Sequence, residues 1–172
     1  GSVEAFEDKY EFDLAHLFGG ARRFTRETLQ RARREHGGVI APPVALDLPE
    51  SDPDDTSRYD DLRAQIAHHK EQRGRFVYVQ TPGIFEAHNG VFGIQNHLGW
   101  LLEYADELRE VYRRQGEWNR RFAMNCLDLG VDMIHVSDDW GAQTGLLFDP
   151  AQWRDLIFPF HKITADAVKR RG

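Results

Sequence analysis

Along this chain, stretches with apolar residues every three or four positions alternate with short runs that are apolar throughout. From residue 14 to 35, Leu17, Phe18, Ala21, Phe24, Thr28 and Leu29 mark one side of a helical pattern, which Gly37-Gly38 ends. Residues 39–48 are apolar but broken by Pro42-Pro43, which predicts an edge strand or extended segment. The acidic, turn-rich residues 49–56 read as a linker. Residues 59–73 return to helical spacing through Leu62, Ile66 and His69.

FVYVQ at 76–80, bounded by Gly74 and by Thr81-Pro82-Gly83, predicts a strand. A helical stretch follows over 94–104. Asp106 is the expected N-cap of the next helix, where Leu108, Val111, Tyr112, Gln115, Trp118, Phe122 and Cys126 form a stripe and Gly130 marks the end. Residues 132–137 predict a second strand. The last helix is expected to start with Asp149 as N-cap, Pro150 as first helical residue and Gln152 as capping-box partner. Trp153, Leu156, Ile157 and Phe160 form its apolar face, and Pro159 should kink it.

The order strand, helices, strand, helix implies parallel strands joined by crossovers, with a site at the C-terminal ends of the strands. Two polar stretches fall there: Gln80 to Glu86, and HVSDDWGAQTG from His135 to Gly145.

Composition narrows the class. The 172 residues suffice for one domain with a real core, and 41% hydrophobic with 29% charged content suits a soluble globular chain. No apolar run approaches the roughly 20 residues that cross a bilayer. No signal-peptide pattern is visible, and a single cysteine excludes an internal disulfide framework, so a cytoplasmic location is expected. The net charge of −6 argues against general nucleic-acid binding. The arginine clusters at 31–34, 113–114 and 120–121 read as solvated helix faces. Gly1-Ser2 resembles a cloning scar. The ending Lys169-Arg-Arg-Gly172 has the chemistry of a helix C-terminus with a strand expected next, which suggests a fragment.

Several residues carry candidate chemistry. Asp138 and Asp139 are adjacent, so one can face a cavity while the other caps a turn or accepts backbone N–H bonds; either is a candidate acid–base group. His135, in register with Ser137, is either a core histidine held by hydrogen bonds or part of a metal set with the aspartates. His88 and His97 share that ambiguity. Trp140 and Phe85 either wall a pocket or seal loop against helix, and Gln143 is a candidate ligand donor. Cys126, on the helical stripe, reads as inert packing. The sequence holds no P-loop, dinucleotide fingerprint, CxxC or nucleophile elbow.

The run GVDMIHVSDDWGAQTGLLFDP at 130–150, followed by Trp153, Pro159 and Lys162, resembles the uroporphyrinogen decarboxylase superfamily. Its members often read Gly-x-Asp, an apolar strand, Asp-Asp-x-Gly-x-Gln and a proline-started helix. Pro82 to Glu86 and Tyr59 to Leu62 resemble the branch close to corrinoid-dependent methyltransferases. The resemblance covers residues 76–172 and is weak before Pro49.

The resemblance implies an α/β fold, the (β/α)8 TIM barrel, of about twice this length. The chain would then divide into the scar at 1–2, a helical or extended lead-in at 3–48, and a partial barrel at 49–172 truncated after its last helix. The implied activity is methyl transfer between a corrinoid and a thiol or other acceptor; the alternatives are uroporphyrinogen III decarboxylation or a non-catalytic half-barrel that self-associates. Asp138 and Asp139 would be catalytic, and Gln143, Trp140, Phe85, Glu86, Thr81 and His135 would bind a small-molecule or corrinoid-protein substrate. No cofactor or metal is assigned to this chain; zinc and corrinoid would belong to the complete protein. The isolated chain is expected to have no turnover. Changing both aspartates to Asn in the complete protein should lower turnover at least ~10²-fold.

Overall fold

The computed structural model describes residues 2–172. In chain order it contains α1 (Val3–Lys9), β1 (Leu14–Leu17), α2 (Arg26–Glu35), α3 (Pro42–Leu46) and α4 (Asp60–Ile66), which runs into a π turn at Ala67–Gln72. Then come β2 (Phe76–Gln80), α5 (Glu86–Phe92), α6 (Ile94–Glu103), α7 (Ala105–Asp128) and β3 (Met133–His135). A small hairpin of β4 (Gly141–Ala142) and β5 (Gly145–Leu146) precedes α8 (Pro150–Gln152), a π turn at Trp153–Ile157, and α9 (Phe158–Arg171).

The fold is mixed α/β, built on a parallel sheet in the order β1-β2-β3. Strand alternation gives the sheet two unlike faces. Ala15, Leu17, Val77, Val79 and Ile134 point to one side and are buried with Leu62, Ile66, Trp118, Phe122 and Cys126 from α4 and α7. Leu14, His16, Phe76, Tyr78, Gln80, Met133 and His135 point to the other and stay exposed or half-buried. A second core gathers around Phe85, Leu108, Tyr112 and Ile157. Helix α7 joins the two, because every residue of its predicted stripe is buried. Between its apolar halves it packs closely on α9: a Cβ on Gly116 would stand 2.9 Å from the Phe160 carbonyl.

Several expectations are corrected. The helix predicted over 14–35 is a strand followed by a separate helix, because Gly19 and Gly20 take positive φ and break the pattern, and the apolar residues before them sit at period two. Residues 3–48 are therefore no separate lead-in, since β1 pairs with β2 along Leu14↔Phe76 to Leu17↔Val79. The segment 39–48 contains helix α3, with Pro42 and Pro43 at the start where a missing N–H costs nothing. The linker at 49–56 is strapped down: Ser51 N–H donates to Arg23 O, Trp118 Nε1 donates to Ser51 O, and Asn125 Nδ2 donates to Pro53 O.

Tyr104, not Asp106, occupies the N-cap of α7, with Asp106 in the first turn. Asp149 caps α8 as expected, through its bond from Ala151 N, while no side-chain bond from Gln152 completes a capping box among the described residues. At Pro159 the helix does not simply bend. A π turn precedes it and α9 restarts with the proline in its first positions, which removes the need for its N–H. Gly1, one of the two residues set aside as a scar, lies outside the described residues; Ser2 caps α1 by accepting from Ala5 N.

Candidate functional site at the ends of the parallel strands

Both polar stretches lie where the parallel strands end, and one side chain ties them together. Helix α5 begins at Glu86 after Phe85, a residue with no side-chain acceptor, so its first N–H groups need a partner from elsewhere. Asp138, on the loop after β3, supplies it: its carboxylate accepts from the N–H groups of Ile84 (3.1 Å), Phe85 (2.8 Å) and Glu86 (2.7 Å). His161 Nε2 of α9 lies 2.8 Å from the same carboxylate. The Asp138 side chain is 0% exposed. Burial alone would raise its carboxyl, but the bonds from His161, Phe85 and Glu86 outweigh it and hold the group below its ordinary value. Gly83 is required by this approach, since a Cβ there would overlap the Asp138 carboxylate.

Asp139 has the opposite environment. It is exposed, and its Oδ1 accepts from Gly141 N (3.1 Å), closing a turn into the hairpin. Both aspartates thus accept backbone N–H bonds, Asp138 in the interior and Asp139 in an exposed turn. Gln143 stands exposed at the hairpin tip, between the paired Ala142 and Gly145. Glu86 is exposed at the start of α5. Partial burial, then the charges of Asp138 and Asp139, pushes its carboxyl above the ordinary range.

The two aromatic candidates separate as well. Phe85 is fully buried, stacked on His97 (4.4 Å between centroids) and edge-on to Phe148 (4.9 Å), so it seals the core. Trp140 packs against Trp153 (5.1 Å) and lines a wholly apolar pocket of about 230 Å³ with Leu146, Phe148, Pro150 and Trp153. Thr81 is buried and fixes the loop to the neighbouring strand through its N–H to His135 O (2.9 Å).

His135 is not the core histidine expected. It lies on the uncovered sheet face, exposed, and its side chain makes no hydrogen bond among the described residues. The same face carries His16 and Tyr78, stacked at 4.5 Å, and Gln80, whose amide Nε2 donates to Ser137 Oγ at 2.9 Å. A cleft of about 250 Å³ opens there between His16, Phe18, Gln80, Thr81 and Pro82. Burial, then the charge of His135, pushes the His16 imidazole below its ordinary value. His88 and His97 are core histidines: His88 Nδ1 bonds to Ile84 O, and His97 bridges Asn89 Oδ1 and Tyr112 Oη. Burial pushes both down to about 3.

Among the described residues no three His, Cys, Asp or Glu side chains are grouped to hold a metal ion. Cys126 is fully buried, and burial pushes its thiol up to about 12, which makes it a poor ligand. The residues present do not fit a zinc centre. No helix of the described residues is long and apolar enough to cross a membrane.

Sequence reasoning missed His161, His16 and Tyr78, and marked Gln80 only as the start of a polar stretch. Period-two spacing in FVYVQ would have placed Tyr78 and Gln80 on one face. His16 was hidden by the helical reading of its segment. Nothing local marks His161 as a partner of Asp138, 23 residues away. Against known proteins, no family model matches this chain, and neither a curated protein nor a solved structure matches it.

Proposed function

We propose that this chain is part of a (β/α)8 barrel enzyme of the uroporphyrinogen decarboxylase superfamily, of the methyl-transferring kind, with its substrate at the C-terminal ends of β1, β2 and β3. The observation that carries the reading is the Asp138 node. One buried carboxylate joins the two stretches on which the resemblance rests, across neighbouring parallel strands. Consecutive strand order and helices on one face alone also suit a barrel wall whose open face looks inward.

In this reading Asp138 positions the loop, and Glu86 is the acid–base group. Their neighbouring carboxyls are pushed in opposite directions, the usual mark of divided roles. Trp140, Gln143 and His135 contact substrate, while Phe85 and Thr81 support the wall. Zinc belongs to the rest of the complete protein, the corrinoid is met here as the methyl-carrying substrate, and no step is routed through either. Methyl transfer is favoured over decarboxylation because the open-face cleft is lined by no arginine or lysine, whereas the carboxylates of a porphyrinogen call for cations.

Tryptophan-fluorescence titration of the chain with methylcobalamin and, separately, with uroporphyrin tests this. Saturable quenching by the corrinoid alone is expected; quenching by the tetrapyrrole alone would transfer the assignment to decarboxylation.

A second reading rests on the uncovered face. Leu14, Phe76 and Met133 are exposed on it, and among the described residues β1 and β3 each pair along one edge only. Such edges recruit further strands, so the chain should self-associate. Sedimentation as a compact monomer at tens of micromolar would remove this reading.

A further inference from the structure

At the opposite end of the sheet, before the strands begin, α1 lies with its polarity reversed. A surface helix ordinarily buries its apolar side and shows its charges to solvent. Here no residue of α1 is buried, and Val3, Phe6 and the following Tyr10 are exposed. Its acids face the body of the chain instead. Glu4 accepts from Arg73 and lies 2.6 Å from His68 Nε2. Glu7 accepts from Arg75 (2.6 Å), and Asp8 accepts from Arg73 and from Arg75 (2.8 Å). Arg75 is 7% exposed, and among the described residues the Glu7 and Asp8 carboxylates are the only groups its side chain bonds. Helix α1 is thus seated by charge on a basic patch of His68, Arg73 and Arg75 at the foot of β2.

The connection from α1 to β1 is short and strained. Only Tyr10, Glu11, Phe12 and Asp13 separate Lys9 from Leu14. Glu11 has a φ of 53°, and among the described residues it is the one non-glycine residue in the left-handed region. Short hinges under strain favour exchange of the attached element between two copies. Opening this hinge costs no apolar burial, since α1 has none. It also frees residues 10–13 to continue β1 past Leu14↔Phe76, the first pair with β2. By period two, Tyr10 and Phe12 then join Leu14 and His16 along the uncovered side. The aromatic cluster in which Phe6 meets Tyr10 (4.6 Å between centroids) and Phe12 (6.0 Å) now faces solvent and gains a surface to pack on.

We propose that a second copy of this chain is the partner: α1 of each copy sits on the His68, Arg73 and Arg75 patch of the other, and the two opened hinges pair antiparallel about a twofold axis. The ion pairs are the same in the closed and exchanged forms. What favours exchange is relief at two Glu11 residues together with strand pairing between two 10–13 segments, which form a turn in the closed chain. The dimer depends on α1 and its hinge, unlike association through the uncovered sheet face, and it stands apart from the enzymatic function proposed above.

Sedimentation velocity on the full chain, in hinge and charge variants, tests the proposal. Glu11→Pro forbids the positive φ of the closed form, whereas Glu11→Gly accepts it without strain. The proline variant should therefore dimerise at least about tenfold more tightly than the glycine variant. Two charge variants, Glu4→Lys/Glu7→Lys/Asp8→Lys and Arg73→Glu/Arg75→Glu, each set α1 against its own patch. Mixed at tens of micromolar, they should form a 1:1 heterodimer in excess of either homodimer, because each α1 then matches only the other chain's patch. The hinge variants leave the patch intact, so they decide the matter if the arginine variant fails to fold by circular dichroism. Equal self-association of the two hinge variants, or a mixture of folded charge variants in which no heterodimer forms, overturns the exchange of α1.

Discussion

The loop after β3 contains two regions with opposite physics. Up to Asp138 it is interior: the carboxylate is enclosed, Gly83 yields space to it, and four backbone N–H groups and His161 converge on it. Beyond it, Asp139 and the two-rung hairpin from Gly141 to Leu146 are exposed, with only Trp140 between them turned in against Trp153. The chemistry of the two aspartates is the same; what differs is how many groups depend on each. A carboxylate that satisfies several buried donors holds an architecture in place, whereas an exposed one is free to meet a ligand.

The largest test of this difference is Asp138→Ala against Asp139→Ala. Removing the Asp138 carboxylate leaves four backbone N–H groups, those of Ile84, Phe85, Glu86 and Asp139, and a buried imidazole without this partner, and should cost about 3–5 kcal/mol in urea unfolding. Asp139→Ala loses one exposed turn bond and should stay within about 0.5–1 kcal/mol. Equal losses would mean that the enclosure of Asp138 has no energetic weight.

A second, intermediate test uses pH. His88 and His97 are pushed down to about 3 by burial, against about 6.5 in an unfolded chain. Their folded values are depressed, so below pH 6.5 the unfolded chain takes up protons that the native state refuses. Stability is therefore full above that pH and declines as pH falls toward 3. Between pH 7.5 and 6 the loss should be about 1–2 kcal/mol. Asp138, also depressed, adds its own loss only below about pH 4, as protonation removes the acceptor. Urea midpoints that stay constant from pH 7.5 to 5 would show that the two histidines are not held neutral. They would also uncouple the interior region from its buried neighbours.

The same division governs what was legible in the sequence. Helix α7 could be read residue by residue because its burial is one-sided and periodic, from Leu108 to Cys126. The FVYVQ strand and the Asp149-Pro150 helix start were equally plain, since each depends on local spacing or local capping. The Leu14–Leu17 strand was not: four residues fit either period, and only pairing with β2 decides. For the candidate site, the sequence marked the loop but not the difference between its two acids. That difference depends on Gly83, on the uncapped start of α5 and on His161, which lie 55, 52 and 23 residues away along the chain for the first, Glu86 and the last. Long-range partners leave no periodic trace.

The smallest expected effect concerns the hairpin tip. Gln143→Ala removes an exposed side chain with no hydrogen bond among the described residues, so stability should change by less than about 0.5 kcal/mol. If the tip meets substrate, the same substitution should still weaken the quenching of tryptophan by methylcobalamin, because Trp140 stands at the base of the hairpin. Measured side by side, an unchanged urea midpoint with weakened quenching assigns the exterior region to binding. An unchanged midpoint with unchanged quenching confines any substrate contact to the sheet face, where His135 is exposed and His16 and Tyr78 stack half-buried beside it.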